Sequence, residues 1–394
     1  MLADPEVRDL ILETFGSLDI AINSAISTET PPELTAALRN NAFIFSGFKT
    51  YHSLSEVGLA LTDPDGKVKS FEQFSRDVRA IDSKYNVNYL RAEYNHAVRS
   101  SQMAVKWHDA VRGGDRYLLQ YRTAGDERVR EAHAALHNTT LPPSDPFWDS
   151  YYPPNGWNCR CTVVQVLRDD YPQSDSAAAI AAGEACTAEP KQRIFRYNPG
   201  KKLQVFPPKH PYLPKGCGNC SVKKRINLSR GLPLPQCQAC GAIVKHCIKE
   251  AEKRIKQWLK ENIPEHGIIA IEGSNFATGR MCFNRGSIKS VMEHTSNMAI
   301  LSSLEGIENS ARTYKYLGWM ENKPDADGVI KHPEAAFFLY YEVELAGEKY
   351  YVNVKAHRDY QAEVFYCIYG RCDVSKLKPG LPSPPSEWQR KKNR

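Results

Sequence analysis

Positive charge and cysteine are concentrated in one internal stretch of this 394-residue chain. Between Pro190 and Lys260 the sequence holds 17 lysines and arginines against two acids, and five of the eleven cysteines. That stretch carries a formal charge of +15, and since the whole chain carries +7, the remainder carries −8. The contrast predicts a joint between separately folded parts. Such a joint either contacts a polyanion, because counterion release favours binding, or is a solvated linker.

Length and composition restrict the class of protein. A chain of 394 residues exceeds one ordinary core, and its 42% apolar and 25% charged residues are typical of globular domains. No apolar run reaches the roughly 18 residues of a membrane span, and the start, MLADPEVRDL, lacks the pattern of a secretory signal. We therefore expect no membrane partner and a reducing, cytoplasmic setting. In such a setting cysteines are more often metal ligands or buried thiols than disulfides.

The chain is predicted to be a multi-domain α+β protein. Residues 1–170 are expected to form one module, mainly helical to about residue 112 and then a short α+β unit. Residues 171–248 form a basic, proline- and cysteine-rich connector, residues 249–378 an α+β domain, and residues 379–394 a tail. In the α+β domain, a short strand at residues 279–283 and then helices precede four strands, two of which alternate clearly, and this order predicts an antiparallel sheet with its helices on one face.

The connector contains a cysteine pattern with the spacing of a zinc knuckle. Its pairs CGNC and CQAC give C-x2-C-x16-C-x2-C, with Cys217, Cys220, Cys237 and Cys240 as ligands. A module this small has little apolar material, so it is expected to need the metal in order to fold. Its flanking basic residues are consistent either with phosphate binding or with a rigid basic spacer.

A second group of motifs lies between Phe45 and Val166. The sequence there resembles the phage Mu F-like family of minor head, or head morphogenesis, proteins. The resemblance is carried in order by Arg122, Asp126, Arg128, Val129, Arg130, His133, Pro146-Phe147-Trp148, Pro153-Pro154-Asn155-Gly156 and Cys159-Arg160-Cys161. It implies a virion component inside the capsid, made in the host cytoplasm, that acts in prohead assembly or DNA packaging.

Cys159 and Cys161 are candidates for a metal site with His133. If both cysteines lie on a strand, their side chains point the same way, and His133 and His137 share a helix face. Two thiolates and one or two imidazoles could complete a tetrahedral zinc site. The alternative is that the thiols fill a tight contact while His133 bonds the backbone. The arginines of the motif either pair with Asp126 and Asp145 or face DNA.

Residues 265–372 more loosely resemble phage-borne nuclease domains of the barnase/EndoU/colicin/RelE type. That resemblance implies metal-independent RNA cleavage, which needs a proton donor and acceptor and a cation for the phosphorane charge. The predicted catalytic residues are His294 and His357 for proton transfer, Lys355 for charge stabilisation, and Arg280 and Tyr366 as substrate-side helpers. For each of these residues, the alternative to a catalytic role is an ordinary position at a helix end or on the surface.

Together these features predict a phage minor head protein with a C-terminal ribonuclease-like toxin domain. Expected partners are the portal and other head proteins, phage DNA, RNA as substrate and an immunity protein. The alternative is a purely structural head protein whose last domain is a non-catalytic DNA- or scaffold-binding module. A nucleotidyl or ADP-ribosyl transferase is less favoured, since no arginine–serine–glutamate progression follows the strands.

Overall fold

The computed structural model describes residues 5–207, 209–213, 238–345, 348–357 and 362–380. They form two compact units. Of these described residues, the first unit takes those within 5–30, 37–213 and 238–247, and the second takes those within 31–36 and 248–380. The division near the start of the predicted α+β domain therefore falls between residues 247 and 248.

Long helices dominate the beginning of the chain, as its apolar spacing predicts. They are α1 (Pro5–Asn23), α2 (Pro32–Leu59), α3 (Phe71–Ser83) and α4 (Leu90–Arg112), and a π-helical turn, Lys84–Tyr89, joins α3 to α4. Ser70 begins α3 as an N-cap whose hydroxyl accepts the backbone N–H of Gln73. Inside the first unit Lys49 and Glu93 form a buried ion pair, Nζ to Oε2 2.6 Å.

A small antiparallel sheet follows, with the strand order β2-β1-β3. The elements in chain order are β1 (Tyr117–Arg122), α5 (Glu131–Ala134), β2 (Thr140–Leu141), α6 (Phe147–Tyr151), β3 (Thr162–Leu167), α7 (Ser176–Cys186) and α8 (Pro199–Lys202). Aromatic side chains fill its core, among them Trp107, Tyr121, Trp148 and Tyr152. The core of this unit therefore lies beside the sheet and includes α7.

Two local predictions for this region are wrong in extent. The helix expected to carry both His133 and His137 is only one turn, Glu131–Ala134, and the strand considered for both cysteines begins at Thr162. The chain turns before it, since Asn158 has a left-handed φ of 57° and Cys159 N donates to Gly156 O. The ladder with β1 then starts at the pair Arg122–Thr162. Strand alternation therefore does not explain how the two cysteines are oriented.

Residues 176–186, which the sequence assigned to the connector, form α7 and pack in the first unit. Ala179 and Cys186 of α7 belong to the same buried cluster as Trp148. Small residues make this close packing possible, because a Cβ on Gly183 would lie 2.4 Å from the Tyr151 ring.

The second unit contains a six-stranded sheet. The long helix α9 (Gln238–Asn262) precedes this sheet in the chain, and its residues from 248 onward belong to the second unit. The elements that follow are β4 (Ile268–Glu272), β5 (Arg280–Asn284), α10 (Arg285–His294), α11 (Met298–Leu304), α12 (Ile307–Ala311), β6 (Lys315–Glu321), β7 (Ala335–Leu345), β8 (Glu348–His357) and β9 (Ala362–Tyr369). Alternation along β7 buries Phe337, Leu339 and Tyr341 on the face that meets the helices. The α+β class is therefore confirmed.

The sheet is mixed rather than purely antiparallel. Its order is β4-β5-β9-β8-β7-β6, so the predicted meander of the last four strands is present. A hairpin of β4 and β5 extends it, and β5 pairs parallel to β9 through Met281–Glu363 and Cys282–Val364. The parallel contact arises because α10, α11 and α12 separate β5 from the meander in sequence, so that β5 can join the far edge in either direction.

Glu33 is a buried carboxyl group of the second unit. Its Oε2 atom has no hydrogen-bond partner among the described residues. Burial, together with the charge of Glu308, raises the pKa of Glu33 to about 7.

This shift predicts that the second unit loses stability as pH rises from about 4.5 to 7. The folded state binds the Glu33 proton more tightly than the unfolded state, so stabilisation is greatest below pH 4.5 and declines through pH 7. The loss is at most about 3 kcal/mol for a shift of this size. Glu33→Gln should flatten the profile, measured as free energy of unfolding between pH 4.5 and 8. The exposed Glu29→Gln is the control, and an unchanged profile in Glu33→Gln would contradict the assignment.

Candidate metal centre

Three ligand-type side chains meet inside the first unit. The Nδ1 atom of His133 lies 3.6 Å from Sγ of Cys159 and 3.6 Å from Sγ of Cys161. All three residues are buried, and one ligand atom of each lies within 4.8 Å of the others. The structure thus brings together the three residues predicted for the first metal site.

Each ligand is held by a short local element. His133 lies on α5, where its backbone N–H donates to Arg130 O. The two cysteines lie on either side of Arg160 in the turn before β3. Arg160 points outward instead and forms a two-bond pair with Asp126, at 2.6 and 2.5 Å, which is the pairing alternative of the two considered for the motif arginines.

The three groups influence one another's protonation. Burial alone would lower the pKa of His133, but hydrogen bonds and charge from Cys159 and Cys186 raise it to about 9. A hydrogen bond from Cys161, with His133 beside it, lowers the pKa of Cys159, while the pKa of Cys161 is raised by its neighbour Cys159. These directions mean that the surroundings favour a thiolate at Cys159, and a metal ion bound there would take the place of the His133 proton, because metal ligands must be deprotonated.

The donor set and spacing fit a tetrahedral zinc ion. With Zn–S bonds of about 2.3 Å and a Zn–N bond of about 2.0–2.1 Å, a tetrahedral zinc separates its S and N ligands by about 3.6 Å. That is the distance between Nδ1 and each sulfur here. The alternative role for His133, as a plain backbone hydrogen-bond partner, does not account for an Nδ1 equidistant from two sulfurs.

His137 does not belong to this cluster. It is exposed, and its Nδ1 accepts the backbone N–H of Thr123 at 3.1 Å. The turn that ends α5 at Ala134 carries it away from the cysteines.

The knuckle in the connector lies mostly outside the described residues. Cys217, Cys220 and Cys237 are outside them, as is the side chain of Cys240. The backbone of Cys240 is within α9, which begins at Gln238, six residues before the helix predicted from the sequence. The four-cysteine zinc site remains a prediction.

Two of the five predicted catalytic residues meet in the second unit. Lys355 Nζ lies 4.1 Å from the centre of the Tyr366 ring and 2.7 Å from Oε1 of Glu334. His332 completes the group, with Nε2 3.0 Å from the Tyr366 hydroxyl and Nδ1 3.5 Å from Glu334. We call His332, Glu334, Lys355 and Tyr366 the polar quartet. The side chain of Lys355 is only 14% exposed.

The other three predicted catalytic residues are not among the members of the polar quartet. His294 ends α10 and is exposed, with Nδ1 2.7 Å from its own helix's Ser290 O, which is the helix-end alternative. Arg280 is exposed at the start of β5. The backbone of His357 ends β8, and its side chain lies outside the described residues.

Sequence reasoning missed two members of the quartet and one neighbour of the metal centre. His332 and Glu334 lie in a loop where Asn322 Nδ2 donates to the carbonyls of His332 and Ala335. No periodicity marks such a loop. Cys186 could have been found by asking which of the remaining cysteines lies in the same core as His133, Cys159 and Cys161.

Comparison with known proteins gives two separate family matches, and the second begins close to the boundary between the two units. Residues 66–164 match the family described as Phage Mu protein F like protein. Residues 247–366 match the domain described as Large polyvalent protein-associated domain 3. The resemblance to Mu F-like proteins is thereby confirmed over residues 66–164. The second description names no nuclease, so the ribonuclease assignment stays a prediction.

Two relatives support the first match. The "Putative capsid assembly protein F" of Escherichia phage Mu is 40% identical over 104 residues, which is 26% of this chain and 21% of that protein. The "Mu-like prophage FluMu F protein" of Haemophilus influenzae is 46% identical over 44 residues, 11% of each chain. The chain thus spans only a fifth and a ninth of their lengths. No solved structure matches it.

Among the residues that the structure describes, none of the helices combines the length and apolar character needed to cross a membrane.

Proposed function

We propose that this chain is a phage head protein that acts in prohead assembly or DNA packaging, with a zinc ion at the metal centre as a structural element. The observation that carries the proposal is the coincidence of two findings in one segment. Residues 66–164 match the Mu F-like family, and within them lies the buried cluster of His133, Cys159 and Cys161.

In this proposal zinc adds a link between segments that the Arg160–Asp126 pair and the Arg130 hydrogen bond to Trp157 O already hold together. His133 on α5 and the cysteine turn before β3 would be held by one ion, next to the aromatic core that contains Trp148. Binding free energy at such a site becomes folding free energy, because the unfolded chain has no preformed site. The portal and other head proteins are the proposed partners, phage DNA is a further one, and the virion interior is the proposed location.

Zinc analysis tests the metal. The intact chain, purified without chelator, should contain one zinc for this centre and a second for the four-cysteine cluster. Cys159→Ser combined with Cys161→Ser should remove one equivalent, and Cys217→Ser with Cys220→Ser the other, because each pair supplies two of four ligands. Cys372→Ser, a half-exposed cysteine, is the matched control. A loss of less than half an equivalent on either double substitution would count against that site.

Particle composition tests the head role. Mass spectrometry of proheads and virions purified from the phage that encodes this chain should detect it in both. The Cys159→Ser, Cys161→Ser variant should be incorporated at a lower level, because the Mu F-like region loses its metal, while Cys372→Ser should be incorporated normally. Absence of the intact chain from both particles would rule the head role out.

The polar quartet favours a second activity, metal-independent cleavage of RNA by the second unit. Such cleavage needs a base for the 2′-hydroxyl proton, an acid for the leaving oxygen and a cation for the phosphorane charge. His332 contacts both Glu334 and the Tyr366 hydroxyl, and Lys355 lies beside both. In this proposal His332 and Tyr366 transfer protons, Lys355 stabilises the anionic intermediate, and Glu334 orients His332.

The pKa shifts of Glu334 and Tyr366 agree with the roles proposed for them. Partial burial opposes ionisation of Glu334, but its hydrogen bond to Lys355 lowers its pKa below the usual range. Burial raises the pKa of Tyr366, which keeps its hydroxyl protonated as a donor.

If the unit cleaves RNA inside cells, the organism that makes it needs an immunity protein. The rival proposal is a non-catalytic DNA- or scaffold-binding module.

An RNA cleavage assay separates these two. The intact chain incubated with total RNA should give products with 2′,3′-cyclic ends. Lys355→Ala should lower the rate by about 10²- to 10³-fold, as loss of one charge-stabilising donor does elsewhere. Lys349→Ala, an exposed lysine on the same strand that pairs with Glu342, is the matched control. Uncleaved RNA with the intact chain would favour the binding module, and cleavage that Lys355→Ala leaves unaffected would rule out the polar quartet as the catalytic site.

A further inference from the structure

Four lysines of helix α9 lie along one side of that helix within the second unit. They are Lys249, Lys253, Lys256 and Lys260, and all four residues are exposed. With about 3.6 residues per turn, their spacings of four, three and four residues place them within an arc of about 60° around the helix axis. We call these four residues the lysine stripe. It presents one ammonium group per turn over a length of about 16 Å, since each residue adds about 1.5 Å.

The charge of the lysine stripe is not neutralised by its own helix. Glu250, Glu252 and Glu261 lie outside the arc by at least about 40°, according to the same helical geometry. Arg254 pairs with Glu305, Nε to Oε1 3.2 Å, whereas the four lysines form no ion pair with a described residue. An ordinary solvated surface mixes charges of both signs. The stripe is instead a linear array of one sign.

The helix that carries the lysine stripe is anchored to the rest of the second unit. Another side of it is buried, with Ile255 0% exposed and Leu259 1%. At its C-terminal end, Arg285 donates through Nε to Ile263 O at 2.6 Å and through Nη2 to Lys260 O at 3.3 Å. The backbone positions of the lysines are therefore fixed before any ligand arrives, so that binding costs only side-chain freedom.

We propose that the lysine stripe binds the phosphate backbone of double-stranded DNA. The inference rests on the proposal that phage DNA is a partner of this chain, and it names the surface that contacts the DNA. Each strand of a duplex carries one phosphate per about 3.4 Å of axis, so a length of about 16 Å holds about five phosphates of one strand. Four ammonium groups along that length can contact most of them, and such contacts require no particular base sequence.

The composition of the lysine stripe favours a duplex over a single strand. Surfaces that bind single strands without sequence preference combine basic groups with aromatic side chains on which the bases stack. Within α9 the arc of the stripe contains no aromatic residue, and Trp258 is half-buried on the opposite side of the helix. The stripe therefore offers charge without a stacking platform, which suits a backbone whose bases are already paired.

The salt dependence of duplex binding tests the lysine stripe. Each phosphate that is neutralised contributes about −0.9 to the slope of log K against log salt concentration, so four contacts contribute about −3.6. Anisotropy of a fluorescent duplex of mixed sequence, titrated with the intact chain at several KCl concentrations, measures this slope. The combined variant Lys249→Gln, Lys253→Gln, Lys256→Gln, Lys260→Gln should make the slope shallower by about 3 to 4 and weaken binding at about 0.1 M KCl by at least about ten-fold. Glutamine has nearly the helix propensity of lysine, and circular dichroism checks that the variant is folded.

A variant with the same change in net charge at scattered positions is the control. It carries glutamine in place of four other exposed lysines of the second unit, Lys289, Lys315, Lys323 and Lys376. The slope should change by less than about one, because these lysines do not form an array along one strand. A stripe variant whose slope equals that of the intact chain, or differs from it no more than the control does, would overturn the inference.

Single-stranded DNA of the same sequence distinguishes the two forms of nucleic acid. It lacks the 2′-hydroxyl group, so the proposed RNA cleavage does not interfere. The stripe variant should lose less affinity for the single strand than for the duplex, and a larger loss for the single strand would overturn the assignment to a duplex.

The outcomes also separate this inference from the proposed head role. An intact chain that is present in particles but does not bind the duplex would overturn the lysine stripe alone. Stripe-dependent duplex binding by a chain that is absent from proheads and virions would support the stripe and overturn the head role.

Discussion

Two sulfurs and an imidazole nitrogen lie inside an aromatic core, and this placement constrains the whole first unit. Polar atoms buried among side chains such as Trp148 and Tyr121 are costly unless they have partners. His133, Cys159 and Cys161 supply partners to one another, either as a thiolate–imidazolium group or around a cation. The short helix α5 and the turn before β3 must therefore meet at one point, and the small sheet of β1, β2 and β3 is the frame that brings them there.

The sequence identified these three residues for a reason that was partly wrong. Their types and proximity in the chain indicated a metal site, and the structure brings them together. The assumed strand is absent at Cys159, because Asn158 adopts a left-handed conformation and the backbone turns at Gly156. Residue types thus predicted which side chains meet, whereas the local conformation depended on a turn that propensities do not mark. Cys186 was not predicted near them because its helix is made of small residues with no strong periodicity, and only packing against α5 brings α7 into the same core.

In the second unit, periodicity predicted the strands well and the site less well. Alternation along β7 and β8 is clear enough to assign the buried face, and Lys355 and Tyr366, which were predicted for one site, lie side by side. Histidine was the difficulty. His294 satisfies its own helix end, while His332, which precedes Pro333 in a loop, faces Tyr366. Which histidine reaches the sheet is decided by Asn322 bonding the loop carbonyls, a tertiary contact that carries no local sequence signal.

The position of β9 in the sheet has a consequence for how the chain is made. This strand lies between β5 and β8, yet among the strands of the described residues it is the last to be synthesised. Until it emerges from the ribosome, the hairpin of β4 and β5 and the ribbon of β6, β7 and β8 each present an open edge to other nascent chains. Closing the sheet requires contacts about 80 residues apart, such as Met281 with Glu363, which is slow compared with local pairing. Premature termination before residue 362 would therefore yield an aggregation-prone polypeptide instead of a smaller functional one.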